Sequence, residues 1–176
     1  SAQARGDNAT ATGRSARATG QSSTAIGALS RGGADFTTAV GMDAQATEQG
    51  ANAVGAGALA SGTCAASYGR NARATAAGAT AIGEASAATH VNSAAFGDSA
   101  ATQRDNQQVF GNSDNTYTMT GIASAASKAA QASGSKLAVT SDADGNLAAR
   151  DANELFASTG ANSTALGFSS SAAGAN

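Results

Sequence analysis

The sequence is poor in the residues that usually build a core or carry out chemistry. Its 176 residues include no proline, no tryptophan, one cysteine, one histidine, five phenylalanines and two tyrosines. A single cysteine excludes an intrachain disulfide and a cysteine-rich metal site. No apolar run approaches the roughly 20 residues that cross a bilayer. No long basic run favours nucleic acid as a partner either.

Small side chains are what the chain has instead. The hydrophobic fraction is 41%, most of it alanine, and there are 22 glycines and a net charge of −2. This composition fits a disordered chain or a repeat protein whose narrow interior admits only small residues. The chain does not start with the charged and apolar segments of a signal peptide. We therefore expect it to be a fragment of a longer protein.

A fourteen-residue repeat decides between these alternatives. Glycine occupies positions 13, 27, 41, 55, 69, 83, 97 and 111, and the residue two positions before it is nearly always alanine. Large and small residues therefore alternate, as in short strands. The glycine suits a turn with positive φ. The residue immediately before the glycine is large and apolar in seven coils: Ile26, Val40, Val54, Tyr68, Ile82, Phe96 and Phe110.

Stacked coils of this kind predict a parallel β-roll with two strands and two turns in each coil. The small residues must line the interior, because two sheets joined by so few residues lie close together. The large residues then form a column that points outward. A continuous apolar stripe on a surface usually marks an interface. The sequence therefore predicts self-association about an axis, without giving the number of chains.

The repeat units resemble the head repeats of YadA-like trimeric autotransporter adhesins. The segments that carry the resemblance are "NATATG", "SSTAIGALS", "ANAVGAGALA", "GATAIGEAS" and "ANSTALGFSSSAAG". The resemblance implies an all-β fold, a left-handed parallel β-roll of fourteen-residue coils, and a homotrimer with the seven large residues at its interface. It also implies a virulence-associated surface protein of a Gram-negative bacterium. The outer-membrane anchor, and with it any membrane contact, would lie outside this fragment.

Three segments follow from the repeat and its interruption. Residues 1–111 are predicted to form the head roll, residues 112–157 a neck-like connector, and residues 158–176 the truncated start of a second head block. The connector is predicted to hold a hairpin around "DADGN" and a short helix that stops at Gly134. The apolar face of that helix comprises Ile122, Ala125, Ala126, Ala129 and Ala130.

Catalytic chemistry is not expected. His90 occupies a turn position of the repeat without a nucleophile beside it. Cys64 is interpreted as a tolerated small residue rather than a reactive thiol, at a position where other coils have Asn8, Ser22, Phe36, Gly50, Gly78 and Asn92. "DADGN" lacks the remaining ligands of a calcium loop. We therefore expect a protein without enzymatic activity, cofactor or metal.

The leading functional hypothesis is an adhesin head that binds host cell-surface or extracellular-matrix molecules. Five arginines occupy the first and fourth positions after the repeat glycine, which are interpreted as turns. They form a possible surface for an acidic ligand, although simple solvation of the surface is the plainer interpretation. These residues are Arg14, Arg17, Arg31, Arg70 and Arg73.

Two other classes compete with this hypothesis. An ice-binding β-roll would use threonine arrays, and two partial arrays exist, each interrupted by other residues. A left-handed β-helix acyltransferase would use six-residue coils and a catalytic histidine, neither of which matches. The two arrays comprise Thr10, Thr24, Thr38 and Thr80, and Thr19, Thr47, Thr75 and Thr89.

Overall fold

Short strands and turns alternate through most of the chain. The structure, a computed structural model, describes residues 1–131 and 137–150. These belong to two compact units, Ser1–Thr116 and a second unit that begins at Tyr117. In chain order the strands of the first unit are β1 Gln3–Ala4, β2 Thr10–Thr12, β3 Arg17–Ala18, β4 Thr24–Ile26, β5 Arg31–Gly32, β6 Thr38–Val40, β7 Gln45–Ala46, β8 Asn52–Val54, β9 Leu59–Ala60, β10 Ala66–Tyr68, β11 Arg73–Ala74, β12 Thr80–Ile82, β13 Ala87–Ala88, β14 Ala94–Phe96 and β15 Gln108–Phe110.

Successive coils stack in parallel and in register. The three-residue strands form an eight-stranded sheet in the order β15-β14-β12-β10-β8-β6-β4-β2. The two-residue strands form a seven-stranded sheet in the order β1-β3-β5-β7-β9-β11-β13. Each residue pairs with its counterpart one repeat away, as Ala25 does with Ala39 and Arg17 with Arg31. The predicted parallel β-roll of fourteen-residue coils is confirmed.

Alanine fills the space between the two sheets. Ala25 from the eight-stranded sheet and Ala18 from the seven-stranded sheet are both fully buried, as are their counterparts in most coils. The largest fully buried side chain is that of Thr37. The interior is therefore as narrow as the sequence predicts, and every larger apolar side chain has to lie outside it.

The repeat glycine is required for two separate reasons. Gly27 has φ +126°, a conformation that other residues rarely adopt. A Cβ placed on Gly27 would also lie 2.4 Å from the carbonyl oxygen of Gly41 in the next coil. The first requirement is that of a turn, as predicted. The second arises from the stacking of coils, because their backbones touch at this corner.

Buried hydroxyl groups close the turns. Ser30 is fully buried, and its Oγ donates to the carbonyl oxygen of Gly27 at 2.9 Å. Ser23 donates in the same way to Gly20 at 2.7 Å. Ser67 is the exception, since its Oγ is buried without a hydrogen-bond partner. Serine is thus accommodated at the end of a turn and leaves an unsatisfied group when it stands in a strand.

The described part of the second unit contains one short helix. Helix α1 spans Ala125–Ala130, and the Ser124 side chain caps it by accepting from the Ser127 amide at 3.1 Å. The helix is shorter than the predicted apolar face, because Ile122 precedes it, and the predicted stop at Gly134 lies outside the described residues. In the described residues no helix is long and apolar enough to span a membrane.

The predicted hairpin follows the helix. Strands β16 Ala138–Ser141 and β17 Leu147–Arg150 pair antiparallel. The Asp142 carboxylate closes the turn by accepting from the amides of Asp144 at 3.0 Å and Asn146 at 2.9 Å. The predicted second head block at 158–176 lies outside the described residues, and the three domain boundaries stay predictions.

Candidate binding surfaces

The large residues before the repeat glycines form one column on the outer side of the eight-stranded sheet. They pair directly across neighbouring strands, as Ile26 does with Val40 and Tyr68 with Ile82. The residue before each of them in the strand, such as Ala25 or Ala81, is fully buried and points the opposite way. We call this the apolar column; its members are Ile26, Val40, Val54, Tyr68, Ile82, Phe96 and Phe110.

The roll leaves the apolar column open to solvent. Ile26 is 40% exposed, Tyr68 and Ile82 are each 41% exposed, and Phe110 is 59% exposed. Phe96 and Phe110 stack on each other with ring centroids 5.1 Å apart. A surface stripe of this kind is unusual for a single soluble chain. The outward placement agrees with the sequence prediction, and contact with other chains stays a prediction.

Three of the five predicted surface arginines do not lie in turns. Arg17, Arg31 and Arg73 lie in strands β3, β5 and β11 of the seven-stranded sheet. Their assignment to a turn was wrong. The strand runs through the fourth position because the small residues on either side of it, such as Ala16 and Ala18, both point into the interior. The arginine between them therefore points outward.

The remaining two arginines lie in turns, as predicted. Arg14 and Arg70 each follow a repeat glycine and are exposed. Arg70 forms an ion pair with Glu84, which occupies the same turn position in the next coil. Such an exposed pair contributes about 0–1 kcal/mol. The five arginines therefore divide between two surfaces and do not form a single patch.

Arg5 follows strand β1 and lies on the same side of the seven-stranded sheet as the strand arginines, but it was missed from the sequence. Its amide donates to the Ala18 carbonyl at 2.8 Å, just as the Thr19 amide donates to Gly32 at 2.8 Å one coil later. Arg5 therefore shares the outward column of Thr19. The first repeat glycine is Gly13, so the coil before it was not assigned a register. Extending the register back by one repeat would have revealed Arg5.

We call the outer side of the seven-stranded sheet the basic face. Two columns form it, one through the strands and one two residues further along. Neither column contains an aspartate or glutamate. The first column comprises Gln3, Arg17, Arg31, Gln45, Leu59, Arg73 and Ala87, and the second comprises Arg5, Thr19, Gly33, Thr47, Ser61, Thr75 and Thr89.

His90 and Cys64 lie at turns. The His90 Nδ1 atom is 3.2 Å from the Oγ1 atoms of both Thr89 and Thr102. The Ser93 hydroxyl contacts Thr102 at 3.1 Å, but only 1% of Ser93 is exposed, so this hydroxyl is not presented to a substrate. Cys64 is exposed, with φ +56°. In the described residues no group of three acidic, histidine or cysteine side chains could hold a metal.

The threonine arrays lie on both outer faces. Thr24 and Thr38 pair on the eight-stranded sheet, beside the apolar column. That array is broken by Asn52 and Ala66, which occupy the same position in the following coils. The other array lies on the basic face among the arginines. Neither forms an unbroken threonine surface.

Known proteins match both the repeat and the fold. The family model of the YadA head domain repeat matches residues 4–30, 74–100 and 158–176. The crystal structure of the collagen-binding domain of the Yersinia adhesin YadA matches with 32% identity and a TM-score of 0.57. That match covers 65% of this chain and 64% of that domain, so the chain spans slightly less than two thirds of it. No curated protein sequence matches significantly. The comparisons do not favour ice binding, and they support a YadA-like head domain for this chain.

Proposed function

We propose that this YadA-like head domain is a non-enzymatic, trimeric adhesin module that binds extracellular matrix. The observation that carries the proposal is the likeness of the roll to a collagen-binding adhesin domain at 32% identity. Collagen is therefore the first candidate ligand for this chain, followed by other matrix and host cell-surface molecules. The module would stand on the surface of a Gram-negative bacterium, attached through an anchor elsewhere in the protein.

The apolar column supports the trimer. Its residues stand one above another in register, so a second and a third copy could pack against the whole column at once. Completing the burial of an isoleucine that is 40% exposed stabilises by roughly 1 kcal/mol. The gain recurs at each coil and in each chain. A closed rotational arrangement buries all copies of such a stripe and leaves none exposed.

The solution mass tests the trimer. We expect light scattering on the purified chain to give about three times the 16.7 kDa of one chain. Far-ultraviolet circular dichroism on the same sample should show β structure. A folded monomer would contradict the role of the apolar column, because that column would then be stable in water.

Surface plasmon resonance on immobilised collagen tests the adhesin function. We expect saturable binding of the oligomer to native triple-helical collagen, with heat-denatured collagen and albumin as reference surfaces. Laminin and fibronectin surfaces on the same chip would show whether another matrix protein is preferred. An oligomer that is folded and binds none of these surfaces would contradict the proposal.

A further inference from the structure

Acidic and basic residues lie on different surfaces of the roll, although their numbers in the whole chain are similar. The chain carries 12 acidic and 10 basic residues. The acidic residues of the coils all lie in turns, whereas the two columns of the basic face contain four arginines and no acidic residue. One turn carboxylate reaches these columns, because Asp43 accepts a hydrogen bond from Gln45 Nε2 at 3.2 Å. The turn residues are Asp7, Asp35, Asp43, Glu48, Glu84, Asp98 and Asp105.

Within residues 1–131 and 137–150, no ion pair involves Arg5, Arg17, Arg31 or Arg73. Arg70 and Glu84, which do form an ion pair, are turn residues. Arg17 and Arg31 are direct partners on adjacent strands, about 4.8 Å apart. Like charges placed opposite each other in a sheet are destabilising. Both side chains are exposed, so their charge is available to a partner.

The spacing of these arginines suits an extended polyanion. Arg5 lies on the coil before Arg17, so three guanidinium groups stand on three consecutive coils. Arg73 lies three coils beyond Arg31, about 14 Å away along the same column. Guanidinium groups bind sulfate and carboxylate groups through two parallel hydrogen bonds. A linear chain that carries repeated anionic groups could contact all four arginines.

The other residues of the basic face favour a glycan over a nucleic acid. Its two columns contain hydroxyl and amide side chains, including those of Thr47, Thr75 and Gln45, and no aromatic residue. Proteins that bind single-stranded nucleic acids stack the bases on aromatic side chains. Hydroxyl and amide groups instead match the hydroxyl groups of a sugar. We propose that the basic face binds a sulfated glycosaminoglycan through Arg5, Arg17, Arg31 and Arg73. This inference rests on the proposed adhesin function and names a second class of matrix ligand.

Titration calorimetry of the full chain with a heparin octasaccharide tests the inference. The test variant carries Arg17→Gln and Arg31→Gln. Glutamine already occupies this column as Gln3 and Gln45, so the fold should tolerate the change. The matched control carries Arg14→Gln and Arg70→Gln, which remove the same charge from turns. We expect the test variant to lose at least about tenfold in affinity and the control to change less than about threefold.

The salt dependence gives a second readout. The logarithm of affinity should fall linearly with the logarithm of salt concentration, and the slope should shrink by about 1.4 in the test variant, at about 0.7 per lost contact. Equal losses in the two variants would overturn the inference, because net charge alone would then explain binding. Equal affinity for desulfated heparin would also overturn it, and so would tighter binding of single-stranded DNA of equal charge.

Collagen binding separates this inference from the proposed function. A wild-type chain that binds collagen and does not bind heparin would overturn the glycosaminoglycan site and leave the adhesin proposal intact. The reverse result would overturn collagen as the ligand and support the site. Circular dichroism of each variant shows whether the fold is retained. If the glutamine variant unfolds, Arg73→Gln alone provides the test, with an expected loss of about threefold and a control in Arg14→Gln.

Discussion

The two outer faces of the roll share one interior and one repeat, yet their chemistry is opposite. On the eight-stranded sheet, Ile26 and its counterparts form a continuous apolar column. On the seven-stranded sheet, Arg17 and Arg31 occupy the outward positions and no acidic residue accompanies them. Both faces are built over the same buried alanines. The repeat thus determines which way a side chain points, and the outward residue determines what each face does.

The narrow interior explains why the large apolar residues and the arginines both lie outside. The largest fully buried side chain is that of Thr37, so the roll cannot stabilise itself with a core of leucine or phenylalanine. The larger apolar residues therefore lie on the outer side of the eight-stranded sheet, where we propose that another chain covers them. The basic face needs no such cover, because water solvates arginine well. The two proposals thereby assign association to one outer face and recognition to the opposite one.

The largest effect is expected from placing charge on the apolar column. Replacing Ile26→Asp and Ile82→Asp together would bury carboxylates at the proposed trimer axis. An uncompensated buried charge destabilises by about 3–5 kcal/mol at each site. We expect loss of both the trimer and the β signal, measured by light scattering and circular dichroism.

The matched control places the same charges on the basic face. The control variant carries Arg17→Asp and Arg73→Asp. Arg17 and Arg73 lie nine residues before Ile26 and Ile82, so the control changes the opposite sheet in the same part of the roll. We expect this variant to remain trimeric and folded. A stable trimer of the variant with Ile26→Asp and Ile82→Asp would show that the apolar column is not the interface. Dissociation of the arginine variant instead would assign the interface to the basic face.

Much of the roll could be predicted from the repeat. Ala25, Ile26 and Gly27 indicate the interior, the outer face and the turn, because the same order of small residue, large residue and glycine recurs in successive coils. The strand position of Arg17 was missed, although small residues recur on both sides of it in each coil, as Ala16 and Ala18 do, and this alternation is already visible in the sequence. The close packing of Gly32 against Thr37 could not be predicted from the sequence. A Cβ there would lie 3.0 Å from the Thr37 Oγ1 atom, so the interior layer balances a small residue against a larger one.

The corner that joins the two faces is expected to be nearly as sensitive. Gly27→Ala places a Cβ against the Gly41 carbonyl oxygen in a backbone conformation that alanine avoids. Backbone strain and overpacking each cost about 1–3 kcal/mol, so we expect a loss of about 3 kcal/mol in the free energy of unfolding. Urea denaturation at a fixed protein concentration measures it.

Gly33→Ala is the control for the corner. Its Cβ would meet the nearest atom at 3.4 Å, an ordinary contact, and threonine fills the same column in neighbouring coils. We expect a change of less than about 1 kcal/mol. Equal losses in the two variants would mean that glycine is needed for chain flexibility in general. The contact between the corners of consecutive coils would then not explain the loss of stability in Gly27→Ala.

The smallest effect should be a gain in stability, and it concerns the layer that both faces share. Ser67 stands where the neighbouring coils have Ala53 and Ala81, and its buried Oγ has no partner. Ser67→Ala removes an unsatisfied polar group at no cost in packing, so we expect stabilisation by about 1–2 kcal/mol. Ser30→Ala is the opposite case, because it removes the hydrogen bond to Gly27 and should destabilise by about 1 kcal/mol. Opposite signs in urea denaturation would show that the interior tolerates a hydroxyl only beside a turn carbonyl. A loss of stability in both variants would mean that a bound water inside the roll satisfies the Ser67 hydroxyl.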